Sequence, residues 1–351
     1  MDIPLKSDPC RRRSLVPPPF SRRAALAGLG AALLTGCGPH PAPAGPPPQT
    51  ADGSAPPSPT PSPTPSPTPS VTVNGADGAV TVPGGATRVI ALDTAELDSA
   101  ITLGIPPVGA AKSPLDSGLP DYWPASWLAR ITVVGDIGGP PVPAAIARLR
   151  PQLILSNRTR DAAHLDTLRG LAPTVLTQTT GAPWKENFQL HAAALYRHEQ
   201  AAAVVGAYAR HLDQATRAIA SAGLAGQRIS LVRFVEDSPT VHLYARQNFP
   251  GSVLTDLGLP RPDPQNTDQF ALETTPDQLS HADGDLLLYS GHGHPDRNGL
   301  NATLASPAWQ SLGAVRAHRA FPVNDQLWFQ GIGYTGAHFL IAELLHLLGA
   351  S

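Results

Sequence analysis

Two periodicities divide the 351-residue chain. Over residues 71–82, VTVNGADGAVTV, valines alternate with polar residues around Asn-Gly and Asp-Gly pairs, which predicts a β-hairpin. After it, short apolar runs alternate with stretches of helical spacing. Strands are predicted at 88–92, 108–110, 131–134, 153–156 and 174–176, with helices at 96–103, 142–149 and 162–171. This alternation predicts a parallel sheet covered by helices. From 184 to 222 there is no proline, and Leu195, Val204, Val205, Tyr208, Leu212 and Ile219 recur at helical spacing. That predicts one long helix or two abutting ones, closed by Gly223 and Gly226. The alternation then resumes, with strands at 229–234, 241–244 and 286–289 and helices at 252–257 and 334–348. The pattern is that of an α/β protein. Two Rossmann-like lobes, 71–183 and 225–351, are joined by a rigid helical segment, 184–224, and a cleft between such lobes is a natural ligand site.

Upstream of residue 71 the pattern changes. Arginines at 11–13, 22 and 23 precede twelve small or apolar residues, 24–35. A helix needs about 20 apolar residues to span a bilayer, so this run is too short and has the layout of a secretory signal. Its ending, Leu34-Thr35-Gly36-Cys37, resembles the bacterial lipobox. Residues 1–36 are therefore expected to be removed and Cys37 to be lipidated. Two acyl chains, at about 0.8 kcal/mol per buried methylene, make a stable anchor. Ser21-Arg22-Arg23 partly fits a twin-arginine export signal. The remainder, 37–70, is rich in Pro, Ser and Thr and favours polyproline II, a tether reaching on the order of 100 Å at about 3.1 Å per residue. A tether of that kind suits a Gram-positive envelope.

Composition narrows the chemistry. Cys10 leaves with the leader, so the mature chain has no second cysteine, no internal disulfide and no multi-cysteine metal site. Losing Lys6, five arginines, Asp2 and Asp8 leaves 19 basic against 25 acidic side chains, which argues against nucleic acid as a partner. Lysine occurs only at 6, 112 and 185. Positive charge is thus almost all arginine, whose planar fork suits anionic oxygens.

Six segments occur in order: RVIALDTAELDSAITLGIPPVG, VGDIGGPPVPAAIARLRPQLILSNRTRD, TGAPWKENF, SLVRF, HLYARQNFPGSVLTDLGLPRP and WFQGIGYTGA. Together they resemble the helix-linked substrate-binding lipoproteins of ABC importers for ferric siderophores, particularly the actinobacterial members, over essentially all of 71–351. The resemblance implies a class III periplasmic-binding-protein fold with little hinge motion. It also implies a monomer without enzymatic activity or cofactor, a ferric siderophore as cargo, and a membrane permease with its ATPase as partners. The chelate already saturates its iron. The protein then needs donors for the exposed oxygens, which arginine supplies bidentately, and flat apolar area, which tyrosine and tryptophan supply.

Several side chains are candidates on these grounds. Arg160 follows the predicted strand 153–156, and Arg233 ends 229–234, both at strand ends that face the crevice in such folds. Tyr244 and Arg246 lie in LYAR near an expected cleft loop. Trp328, among glycines in DQLWFQGIGY, is read as a stacking platform over a core plug, and Tyr334 as a ligand contact or a helix-start packing residue. Trp184 is expected to pin the linking helix. Where the family usually reads arginine-x-tyrosine, this chain has His242-Leu243-Tyr244, which replaces a permanent charge by a titratable one. The family's second-lobe acidic residue for permease docking falls at Asp277, whereas its first-lobe counterpart falls at Ala144.

Two rival readings attach to Gly291-His292-Gly293-His294-Pro295-Asp296. The segment is similar to the HxHxDH motif of metallo-β-lactamase-like hydrolases, in which His292 and His294 share a metal. Arg297 stands where the last histidine belongs, and no downstream His–Asp ladder follows. The other rival keeps the binding-protein fold and changes the cargo to cobalamin, haem or a bare metal ion held by His292 and His294. No GxSxG, HExxH, P-loop or dinucleotide glycine motif is present.

Overall fold

A computed structural model describes residues 69–350. The leader, Cys37 and the linker up to residue 68 lie outside the described residues. Strands β1 (Ser70–Gly75) and β2 (Gly78–Pro83) form the antiparallel hairpin that the alternating valines predict. Gly78, at φ 102°, supplies the left-handed backbone of its turn.

The first lobe holds β3 (Val89–Ala91), β4 (Gly109–Lys112), β5 (Thr132–Asp136), β6 (Leu153–Asn157) and β7 (Thr174–Thr177). They lie in the order β5-β4-β3-β6-β7, and every neighbouring pair is parallel. Leu153, Ile154 and Leu155 are all fully buried because helices cover both faces, which explains an unbroken apolar run in place of alternation.

The second lobe holds β8 (Ile229–Val235), β9 (Val241–Tyr244), β10 (Ala271–Thr274), β11 (Leu286–His292) and β12 (Ala320–Pro322), in the order β10-β9-β8-β11-β12. Here the parallel expectation holds only for β8, β11 and β12. Strand β9 is antiparallel to β8, and β10 to β9. For β9 the cause is loop length. Only residues 236–240 separate β8 from β9, whereas a parallel return needs a crossover of about a dozen residues.

The linking segment is two helices, Trp184–Ala194 and His198–Ser221. They break at 195–197, where Tyr196 takes φ 57°. The Trp184 indole N–H donates to the Ser252 hydroxyl (2.8 Å), and Lys185 Nζ binds Asp256 Oδ1 (2.7 Å), so the first of these helices is fastened to the second lobe. The C-terminal helix Tyr334–Leu348 packs against the second. Its start also grips the first lobe. Asp98, fully buried in helix Thr94–Thr102, accepts from the backbone N–H of Gly336 (3.1 Å) and Thr335 (3.3 Å), and Thr102 and Thr335 share a hydroxyl bond (2.8 Å). A Cβ on Gly333 would stand 2.1 Å from Asp98 Oδ1, so only glycine permits this approach.

Candidate functional site

A cleft of about 470 Å³ opens between the two sheets, lined from both lobes at strand ends and the loops after them. Its first-lobe wall is built on β6. Asn157, the last residue of that strand, caps the short helix Arg158–Asp161 by accepting from the Arg160 N–H (3.1 Å). That cap turns Arg160 into the cleft. Its Nε binds Asp93 Oδ2 (3.1 Å), and its side chain stays 40% exposed, leaving the outer guanidinium nitrogens available. Asp93 is itself held by Asn157 Nδ2 (3.1 Å). Burial raises the neighbouring Asp161 carboxyl, which donors at Ser156 and nearby charges only partly offset.

The second-lobe wall is a closed polar network. Arg233, near the end of β8, makes a bidentate bond to Asp325 (Nε–Oδ1 2.7 Å, Nη2–Oδ2 2.6 Å). Its Nη1 donates to the Tyr244 hydroxyl (3.1 Å), and its guanidinium lies 5.4 Å from the Phe329 ring centre. Ser290 and Gln330 also donate to Asp325 (2.7 and 2.9 Å). Burial alone would raise the Asp325 carboxyl. The His292 hydrogen bond and the Arg233 charge outweigh it and hold the group well below the usual carboxylate range. Burial would likewise lower the Arg233 pKa, but Tyr244 and Asp325 raise it. His292 Nδ1 sits 2.8 Å from Asp325 and 2.6 Å from Arg233 Nη2, and its Nε2 meets the Ser113 hydroxyl of the other lobe at 3.1 Å.

Of the residues singled out in the sequence, Arg160, Arg233 and Tyr244 line this cleft, and so does His292. Others stand elsewhere. Trp328 is fully buried and bonds Glu343 through its indole N–H (2.8 Å), so it plugs the core rather than forming a platform. Tyr334 is buried edge-on to Phe188, Trp184 and Tyr208, with ring centres 4.6, 4.7 and 5.3 Å away. Arg246 turns outward to Asp268 and Asn266. His242 lies next to Ser238 (3.3 Å), outside the cleft lining, and burial lowers its pKa. Asp277 lies in the turn Pro276–Ala282 of the second lobe, and Ala144 in helix Pro143–Arg148 of the first. The metal-sharing geometry for His292 and His294 is not formed. His292 is enclosed by the network, whereas the His294 ring is 62% exposed and 3.9 Å from Asp296.

The sequence reading missed Phe249, Phe270 and Phe329, which with Tyr244 give the cleft its aromatic lining, along with Ser113 and Gln330. Phe329 follows Trp328 directly, and a shift of one position separates the core plug from the cleft wall. Phe270 is 53% exposed, an apolar ring standing in the open just before an edge strand.

The family model described as Periplasmic binding protein matches residues 89–327. The probable siderophore-binding lipoprotein YfiY of Bacillus subtilis is 28% identical over 274 residues, which cover 75% of this chain and 82% of that protein. Staphylococcus aureus SirA, solved in complex with staphyloferrin B, superposes with a TM-score of 0.70 at 23% identity, covering 80% of this chain and 98% of that one. FeuA of Bacillus subtilis, solved in complex with ferri-bacillibactin, gives 0.65 at 19% identity, with 80% and 98% covered. At these identities the two structures establish a shared two-lobe fold.

Proposed function

The chain belongs to the periplasmic binding protein family, whose members bind solutes, and on that premise we propose that it captures a ferric siderophore and delivers it to an ABC importer. The observation that carries this reading is the cleft. Arg160 from one lobe and the Tyr244–Arg233 network from the other converge on it, between the rings of Phe270 and Phe329. That combination suits a bulky chelate with oxygens on its rim and apolar arms. The siderophore-binding name of YfiY and the siderophores bound to SirA and FeuA support the same cargo. Within this proposal Cys37 anchors the protein to the outer face of a Gram-positive, actinobacterial membrane, and the Pro-rich tract is its tether. The protein acts as a monomer without a cofactor. Permease contact falls at Asp277 on the second lobe, with Ala144 removing the usual acidic point on the first.

The test is a fluorescence titration of the purified protein with ferric hydroxamate, catecholate and citrate complexes, and with haem and cobalamin. At least one ferric chelate should bind with Kd on the order of 1 μM or below. Binding of haem or cobalamin alone, or of nothing in the set, overturns the reading.

A further inference from the structure

We propose that the cleft is built for a ferric chelate of low net charge, of the neutral tris-hydroxamate kind, and against polyanionic catecholate or carboxylate chelates. This rests on the siderophore reading above and specifies its cargo. The charged side chains lining the cleft, apart from the imidazole of His292, are Arg160, Arg233 and Asp93. Neither arginine is an uncompensated cation. Arg233 is neutralised by the bidentate bond to Asp325, and Arg160 by Asp93 at 3.1 Å. Asp161 lies close enough to Arg160 for their charges to interact, so the first-lobe wall carries no excess of positive charge.

This compensation is durable. Asp325 is held ionised well below the usual carboxylate range, so ordinary acidification does not release Arg233. Behind Asp93, Glu96 is fully buried, and burial raises its carboxyl to about 8, so it is mainly neutral at neutral pH. Moving a polyanion out of water into such a site removes its hydration and returns no unpaired cation. A neutral chelate loses much less. It gains from Phe270 and Phe329, while the outer nitrogens of Arg160 give one directional contact.

The experiment titrates the purified protein with two preformed ferric complexes, a neutral tris-hydroxamate and a polyanionic tris-catecholate, and repeats both with Asp325→Asn and Asp93→Asn. Asn at 93 keeps the capping oxygen for Thr94, so that variant should fold even where Asp325→Asn does not. The hydroxamate should bind at least about tenfold more tightly to the parent, and each variant should narrow the ratio by about tenfold. A parent that binds the catecholate as tightly or more tightly overturns the charge assignment and leaves the siderophore reading standing. A ratio unmoved in both folded variants also overturns it, because the aspartates would then not set the preference. If neither complex nor any other ferric chelate binds, the siderophore reading falls and this inference falls with it.

Discussion

Arg160 and Arg233 reach the same cleft from opposite lobes, yet they are held in different ways. Arg160 rises from a single helical turn, with one nitrogen on Asp93 and the rest toward solvent. Arg233 is locked by Asp325 and Tyr244 with Phe329 beneath it, and only 14% of its side chain is exposed. The first is a contact that can adjust to cargo, and the second is a fixed wall. A buried ion pair is worth little against an apolar replacement, but removing one partner strands the other charge. At the first pair only the arginine is half-exposed, and the buried Asp93 keeps the Asn157 amide and the Thr94 N–H as donors, which softens that penalty.

This contrast makes its sharpest prediction in stability. Arg233→Ala leaves the Asp325 carboxylate buried without its cation and should lower unfolding stability by about 3–5 kcal/mol. Arg160→Ala should lower it by less, because the buried Asp93 keeps the Asn157 and Thr94 donors. Denaturant melts of both variants decide the matter, and equal losses would erase the distinction. A second effect, visible only as pH is varied, should follow an acid behind the arginines. Burial, reinforced by Asp93, raises Glu96 from 4.5 to about 8, so between those values the folded protein keeps a proton that the unfolded chain releases. Stability supplied by the neutral acid is therefore present below the unfolded value and lost as pH rises toward 8. The loss is at most about 1.4 kcal/mol per pH unit. Glu96→Gln, which stays neutral, should gain on the parent progressively as melts are run from acid to pH 8. A constant gap would show that Glu96 is ionised in the fold. Asp325 has the opposite sign, since its stabilisation is lost only in strong acid as the pH falls through its depressed value. The smallest effect concerns cargo. Arg160→Ala should weaken a ferric chelate by about tenfold, with Arg160→Lys recovering only part because the fork is gone.

Much of the scaffold was legible because its signals are local. The alternating valines of 71–82, the unbroken apolar run of β6 and the proline-free stretch after Trp184 each reflect one element's own burial. Two abutting helices were among the expectations, but the place of their break at 195–197 was not legible, because Tyr196 adopts left-handed backbone without a glycine or proline to mark it. β10 and β12 are edge strands of four and three residues, too short to show a period. At the site, strand ends led to Arg160 and Arg233. The destination of Trp328 depended instead on Glu343, fifteen positions away on another helix. Asp325, which organises the second-lobe wall, carries no local signal at all. Its partners come from β8, β11 and the loop after its own helix, and only the fold brings them together.

The grip of Asp98 on the start of the last helix has a consequence for the order of assembly. Its amide partners at Thr335 and Gly336 lie 237 and 238 positions downstream. In chain order the first lobe therefore has every strand of its sheet long before the partners of Asp98. Closure of such a remote contact waits for nearly the whole polypeptide and carries the entropy of a very large loop. Maturation of the first lobe is thus completed by the C-terminus, and a chain truncated before Tyr334 would keep the cleft-lining arginines while lacking the clasp that holds their two lobes in register.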